Sequence, residues 1–214
     1  MAHLSLVKNL SRIKEEQKHS DEVLLESTGL AITRGTLNEF AGTSGKTSLL
    51  LSLLSKLTQQ GEICAVVDSS NSFDPCSAVL AKVELENLLW VKCDRNIEHA
   101  FMAADYLVQA KGFGAVWLNL NGVPRSQLRF VPRTFWYRYR NRIKETPTLM
   151  LITAEEPVAG SASQDAFVFS RERAVWSGFG RFKLLREFHL SLHSRKKFYG
   201  KPLLVKTERD YGEV

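Results

Sequence analysis

Two runs that are apolar but for one polar residue each, 63–68 (ICAVVD) and 115–120 (AVWLNL), constrain this chain more than any other feature. A strand with no polar face has no side to turn toward water, so it belongs inside a sheet covered on both faces. Around these runs the periodicity alternates. Residues 36–41, 88–92 and 149–153 read as further strands. Residues 46–57 form a strongly apolar helix, and Asp74-Pro75 opens a short helix over 74–81 with a good cap and proline at the first helical position. Ile97, Ala100, Phe101, Ala104, Leu107 and Val108 fall on one helix face, and 131–144 is an aromatic, arginine-rich helix. Strands alternating with helices of this length predict βαβ units and a parallel sheet. Beyond 153 the helices stop, and 166–170, 183–193 and 202–207 read as a strand meander. The expected fold is therefore α/β, with a mostly parallel sheet, helices on both faces and antiparallel strands at the C-terminal end. Ahead of it, Leu6, Leu10 and Ile13 suggest a short amphipathic helix, followed by a polar linker to about Glu26. This divides the chain into 1–26 and a core over 27–214, basic and β-rich from about residue 166.

The charge is uneven. Residues 1–124 hold 11 Lys/Arg against 14 Asp/Glu, whereas 125–214 hold 18 against 9, so the whole net charge of +6 comes from the C-terminal part. A one-sided basic surface suits a polyanion, nucleic acid above all. No apolar stretch approaches the roughly 20 residues of a membrane span, and the first 17 residues lack the pattern of a secretory leader. Cys64, Cys76 and Cys93 are odd in number and lack metal-ligand spacing, which fits reduced thiols in a cytoplasmic protein.

Strand 36–41 runs into Gly42, Thr43, Ser44, Gly45, Lys46 and Thr47, and then into a helix. Strand, glycine-rich turn, Gly-Lys-Thr and helix is the context in which backbone N–H groups cradle phosphates, a lysine reaches the β- and γ-phosphates and a threonine hydroxyl ligates Mg²⁺. The full motif, however, is G-x-x-x-x-G-K-[ST], and position 40 is Phe40 rather than glycine. Measured from Gly42 the loop is two residues short, so ATP and Mg²⁺ binding, with Thr47 as the metal-ligand candidate, is expected to be weak or absent.

From Lys46 onward the sequence resembles bacterial RecA. The stretch 64–75 (CAVVDSSNSFDP) is similar to the RecA segment C-A-F-I-D-A-E-H-A-L-D-P, and 83–90 (VELENLLW) is similar to V-D-I-D-N-L-L. The likeness covers roughly residues 28–155. Within that superfamily, GFGAVWLNL followed by GVP, the Phe135-Trp136-Tyr137-Arg138 helix and the basic β tail resemble ImuA-like proteins of bacterial damage-induced mutagenesis. That resemblance implies an accessory role in SOS translesion synthesis. It also implies an ImuB-like polymerase-related partner, an error-prone polymerase and a cytoplasmic, nucleoid-associated location. The departures from RecA fall on chemistry. Ser70 stands where RecA has the glutamate that orients the attacking water, Asn119 near its Walker B aspartate, and Ala154 near its γ-phosphate-sensing glutamine. With Glu39 and Asp68 the only acids placed to substitute, efficient hydrolysis is not expected. Two rival readings stay open: a working DNA-stimulated ATPase of the RecA/RadA type, and a regulator acting purely by protein contact, like a cell-division inhibitor.

Arg129, Arg133, Arg138, Arg140, Arg142 and Lys144 lie among Phe130, Phe135, Trp136, Tyr137 and Tyr139. Arginines that neutralise phosphates, with rings that stack on unpaired bases, describe a single-stranded DNA groove. Three readings remain: that groove, a buried face on Phe135, Tyr139 and Ile143 with the arginines merely solvated, or a protein interface. Arg195, Lys196 and Lys197 form a second basic cluster, read as a hairpin tip. The small-residue stretch 159–163 reads as flexible.

Overall fold

The computed structural model describes residues 21–25, 28–181, 183–195 and 203–208, with the side chains of 184–186, 188 and 203–208 set aside. The expected amphipathic helix around Leu6, Leu10 and Ile13, and Lys196 and Lys197, lie outside the described residues.

The chain runs β1 (Glu22–Leu25), β2 (Leu30–Thr33), β3 (Leu37–Gly42), α1 (Lys46–Gln59), β4 (Cys64–Asp68), α2 (Pro75–Leu80), β5 (Leu88–Lys92), α3 (Ile97–Ala110) and β6 (Ala115–Asn119). It continues through α4 (Arg125–Leu128), α5 (Arg133–Ile143), β7 (Leu149–Ala154), β8 (Asp165–Ser177), β9 (Leu184–Ser194) and β10 (Leu203–Glu208). The last eight strands form one sheet in the order β10-β9-β8-β3-β7-β6-β4-β5. From β8 to the edge strand β5 it is parallel, and β9 pairs antiparallel with both β8 and β10. This is the α/β arrangement that the alternation predicted.

The central strands are buried throughout and supply two cores, as their continuous hydrophobicity requires. Phe40, Val66, Trp117 and Leu151 face one side, where Leu50, Leu53, Leu54 and Leu57 of α1 pack on them. Val67, Leu118, Met150 and Ile152 face the other, under Phe101 and Ala104 of α3 and Trp136, Tyr139 and Ile143 of α5. Asp74 caps α2 by accepting from the N–H groups of Cys76 and Ser77. Asn96 caps α3 through the N–H of His99.

The polar linker expected up to Glu26 is corrected at its end. Glu22–Leu25 is a strand, paired antiparallel with Leu30–Thr33. Its alternating Val23 and Leu25 are buried together with Ile32 in the α1-side core. The turn depends on Gly29 at φ +66°, a left-handed conformation that suits glycine. The two buried thiols are held in the protonated form: burial pushes the Cys64 thiol up to about 12, and burial first and the Asp68 charge second also raise Cys93, while Cys76 is exposed.

Leu54 is fully buried and Leu80 is 85% exposed. Leu54→Ala is expected to cost about 2–5 kcal/mol of stability through reduced burial and a residual cavity. Leu80→Ala is expected to change stability by less than about 0.5 kcal/mol. Urea unfolding of both variants measures the difference.

Candidate functional site

The turn from Gly42 to Thr47 sits where β3 gives way to α1, and its glycines are held in place by close neighbours. Gly42 has φ +115° and Gly45 φ +86°. A Cβ on Gly42 would lie 2.3 Å from the carbonyl oxygen of Phe169, and one on Gly45 would lie 2.2 Å from Cδ1 of Leu190. Strands β8 and β9 therefore press directly on the turn. Lys46 is only 6% exposed, and its Nζ donates to the carbonyl of Gly42, within its own loop. Burial lowers the Lys46 pKa, against the charge of Glu155, which raises it. Ser44 is half-buried, while Thr43 and Thr47 are exposed. The lysine that would reach a phosphate thus closes the turn on itself.

At the carboxyl ends of β4, β6 and β7 lies a polar network. The buried Asp68 carboxylate accepts from the N–H groups of Ser72 (3.1 Å) and Phe73 (2.9 Å). Asn119 donates through Nδ2 to Ser72 Oγ at 2.9 Å and to Asp68 at 3.4 Å. Its Oδ1 accepts from Thr153 Oγ1 (2.9 Å) and from the N–H of Asn121 (3.2 Å). Thr153 in turn accepts from Trp117 Nε1 at 2.9 Å. Ser70 donates to the carbonyl of Asn121. Ala154 is 3% exposed at the end of β7. Neither Asp68 nor Glu39 is a free group. Asp68 is committed as above, and Glu39 accepts the N–H groups of Val158 and Ala159 through Oε2. The other Glu39 oxygen is buried with no hydrogen-bond partner among the described residues.

The basic aromatic helix divides by face. Trp136, Tyr139 and Ile143 are buried, and Phe135 packs beside them. Tyr139 donates to the Phe101 carbonyl at 2.8 Å, and the Phe101 ring lies 5.0 Å from Trp136 and 5.4 Å from Phe135. The expectation that these rings stack on bases is corrected for Trp136 and Tyr139, because they fill the core. Phe130 alone of the group is largely exposed, and Tyr137 is partly so, its hydroxyl 2.6 Å from Ser161 Oγ. Arg138 and Arg142 both pair with Asp105 of α3, and Arg138 also lies 4.6 Å over the Phe135 ring. Asp105 was missed as their partner, although its place on the helix preceding the arginines was the available signal.

Arg129 and Arg133 line a cleft of about 250 Å³ with Trp136, Glu155, Glu156 and Val158. Arg125 at the same place pairs with Glu156 at 2.7 Å. Lys144 is exposed beyond the end of α5. The stretch 159–163, read as flexible, is gripped from several sides. Arg140 reaches the Ser161 carbonyl (3.3 Å), and Arg195 reaches the Gly160 carbonyl (2.7 Å) and Ser163. The structure thus brings Arg195 to the α5 side, while the nucleotide-loop residues lie at the far end of β3.

Residues 19–123 match the family model of the RecA N-terminal domain. This core is RecA-like. Among similar proteins are Protein RecA of Rubrobacter xylanophilus, 33% identical over 101 residues, 45% of this chain and 29% of that one, and Protein RecA of Arthrospira platensis, 32% identical over 123 residues, 55% of this chain and 33% of that one. Protein RecA of Mesorhizobium japonicum is 38% identical over 81 residues, 37% of this chain and 22% of that one. The chain matches about a third or less of the length of these relatives. The RecA-like core carries the turn 42–47 and the network around Asp68 and Asn119, whereas α5, Arg195 and the antiparallel strands lie beyond the matched family segment. No helix among the described residues is long and apolar enough to cross a membrane.

The depressed Lys46 pKa has a definite sign. The unfolded lysine holds its proton to higher pH than the folded one, so the unfolded state binds more protons and stability rises with pH through that interval. The gain is complete above the unfolded value. Between about pH 7 and pH 10 the wild type should gain stability relative to Lys46→Met, which has no proton to lose. Paired urea midpoints at the two pH values check this; equal pH dependence in both proteins would contradict it.

Proposed function

We propose that this protein is a RecA-like accessory factor of translesion DNA synthesis, acting through DNA and a polymerase-related partner without efficient ATP hydrolysis. The observation that carries the reading is the closed turn: Lys46 donates to Gly42 of its own loop, and Leu190 packs against Gly45. An ATP phosphate would have to displace both. Phosphoryl transfer depends on positioning and on charge stabilisation around Mg²⁺. At the places where RecA carries acids, Ser70 bonds a backbone carbonyl and Asn119 is engaged by its neighbours. The residues present do not fit a Mg²⁺–ATP cradle. The DNA class follows from RecA-like homology. The translesion role, the ImuB-like partner and the error-prone polymerase rest on the resemblance to ImuA-like proteins.

Phosphate release, with and without single-stranded DNA, tests the ATPase half of the reading. Turnover well below about one per second is expected. DNA-stimulated turnover at or above that rate, abolished by Lys46→Ala, would overturn it in favour of a working RecA-type ATPase.

The DNA half depends on which arginines are free. Arg129 and Arg133 carry no ion pair among the described residues, whereas Arg138 and Arg142 are held by Asp105. Changing Arg129 and Arg133 together to Glu is expected to weaken single-stranded DNA binding. It should also flatten the log–log salt dependence by about 0.7 for each phosphate that is no longer neutralised. Arg138→Ala with Arg142→Ala should act mainly on stability. Fluorescence anisotropy across a salt series reads the first effect and thermal melting the second. DNA binding unchanged by the double charge reversal would favour a regulator working by protein contact alone.

A further inference from the structure

A crevice opens at the carboxyl ends of β4, β5 and β6, separated from the cleft at Arg129 and Arg133 by Val123, which lines both. The chain leaves β4 toward α2, whose Ala78 packs in the α1-side core. It leaves β5 and β6 toward α3 and α5, which cover the other face. Neighbouring loops that part to opposite faces leave a gap between them, and open α/β sheets hold ligands in such gaps. The crevice measures about 520 Å³ and is lined by Ser70, Ser72, Arg95, Asn121, Val123 and Gln127, among others. That volume falls within the roughly 300–1,000 Å³ of small-molecule sites.

Its chemistry is selective. Arg95 is the only charged residue in the lining, which holds no acid, and the guanidinium has no ion pair among the described residues. Ser72 Oγ accepts from Asn119 Nδ2, and Ser70 spends its single hydrogen on the Asn121 carbonyl, so the Ser72 hydrogen can turn either to Ser70 Oγ or to a ligand. The oxygen of the Asn121 amide is buried with no hydrogen-bond partner among the described residues, and an unmade buried hydrogen bond is costly. Gln127 offers a second, exposed amide, and Ile97, Val123 and Pro124 supply apolar wall. The rim is also strained. Of the five non-glycine residues with positive φ among the described residues, Arg95 (64°) lines the crevice, and Asn71 (59°) and Asp94 (46°) adjoin lining residues in the chain. Such backbone persists where surrounding structure enforces it, and it concentrates at ligand sites.

The geometry points to a ligand site in this crevice for a nucleoside 5′-monophosphate. One guanidinium and one hydroxyl donor match a single phosphate. The absence of a carboxylate in the lining disfavours a Mg²⁺-bound triphosphate. The two amides match a base edge, which presents donors and acceptors side by side and so serves the buried end of Asn121. The ligand is either a free mononucleotide or the 5′-phosphorylated end of a DNA strand, since both present the same groups. This inference stands apart from the closed turn at Lys46 and does not depend on it.

Calorimetric titration of the full chain with dAMP in EDTA, beside short oligonucleotides with a 5′-phosphate or a 5′-hydroxyl, is the test. Saturable binding of dAMP, or of the 5′-phosphorylated strand in preference to the 5′-hydroxyl strand, is expected. The first outcome identifies a free nucleotide and the second a strand end. Arg95→Ala should weaken binding at least about tenfold, as removal of a charge-assisted hydrogen bond does. Gln127→Ala, at an exposed position, should weaken it without a change in melting temperature. No saturable binding of dAMP together with equal binding of the two oligonucleotides would overturn the proposal. So would binding that is abolished in Lys46→Ala and kept in Arg95→Ala, which would move the nucleotide to the turn at 42–47.

Discussion

Asn119 ties together the carboxyl ends of three strands, and much of the molecule's character follows from that one amide. It donates to Ser72 and Asp68 and accepts from Thr153 and the Asn121 backbone. Only a side chain with both a donor and an acceptor end can meet all four. An ionised aspartate there would lack the donor and set a second negative charge within reach of Asp68, itself fully buried. Like charges at such separation cannot both stay ionised without a cation between them. The asparagine therefore lets the strand ends be joined around a single carboxylate, Asp68, by a neutral amide that both donates and accepts.

The turn at Lys46 follows the same logic by different means. A glycine-rich turn leaves backbone N–H groups pointing outward, and in water or against phosphate they are satisfied. Here β8 and β9 cover the turn: the Phe169 carbonyl comes close to Gly42, and Leu190 to Gly45. Burying an ammonium without a partner is expensive. Lys46 answers by donating to Gly42 and by a lowered pKa. The antiparallel strands that extend the sheet thus also pack against the two glycines of the turn, while Thr43 and Thr47 stay exposed.

The sheet was legible because its signals are local. Continuous apolar runs marked β4 and β6, helical spacing marked α1, α3 and α5, and Asp74 before Pro75 marked the start of α2. The β1–β2 hairpin was not legible, since its four-residue strands lie inside a polar context and their burial comes from α1, which no local pattern announces. On α5 the composition was read correctly and the facing incorrectly in part. One of the readings left open put Phe135, Tyr139 and Ile143 on a buried face; in the structure Trp136 takes the central place and Phe135 the flank. Periodicity gives a face to within about one residue, and packing against Phe101 decides the rest. Ser70 and Asn119 stood out in the sequence, but their partners did not, because hydrogen bonds between residues some 50 apart leave no trace in spacing.

The distribution of arginines separates structure from recognition. An arginine already paired with a carboxylate and stacked on a ring has little left to offer a ligand, and Arg138, with Asp105 on one side and Phe135 beneath, is such a case. Arg140 and Arg195 donate to carbonyls of the 160–163 stretch, where they brace a segment too poor in side chains to brace itself. A stretch held in this way presents its backbone in a fixed shape beside the cleft lined by Arg129 and Arg133. Preorganisation of that kind lowers the ordering cost of binding a flexible strand. The net charge of the C-terminal part therefore overstates the surface free for a polyanion. Around α5, Arg129 and Arg133 remain at the mouth of one cleft, next to a segment that Arg140 and Arg195 hold still.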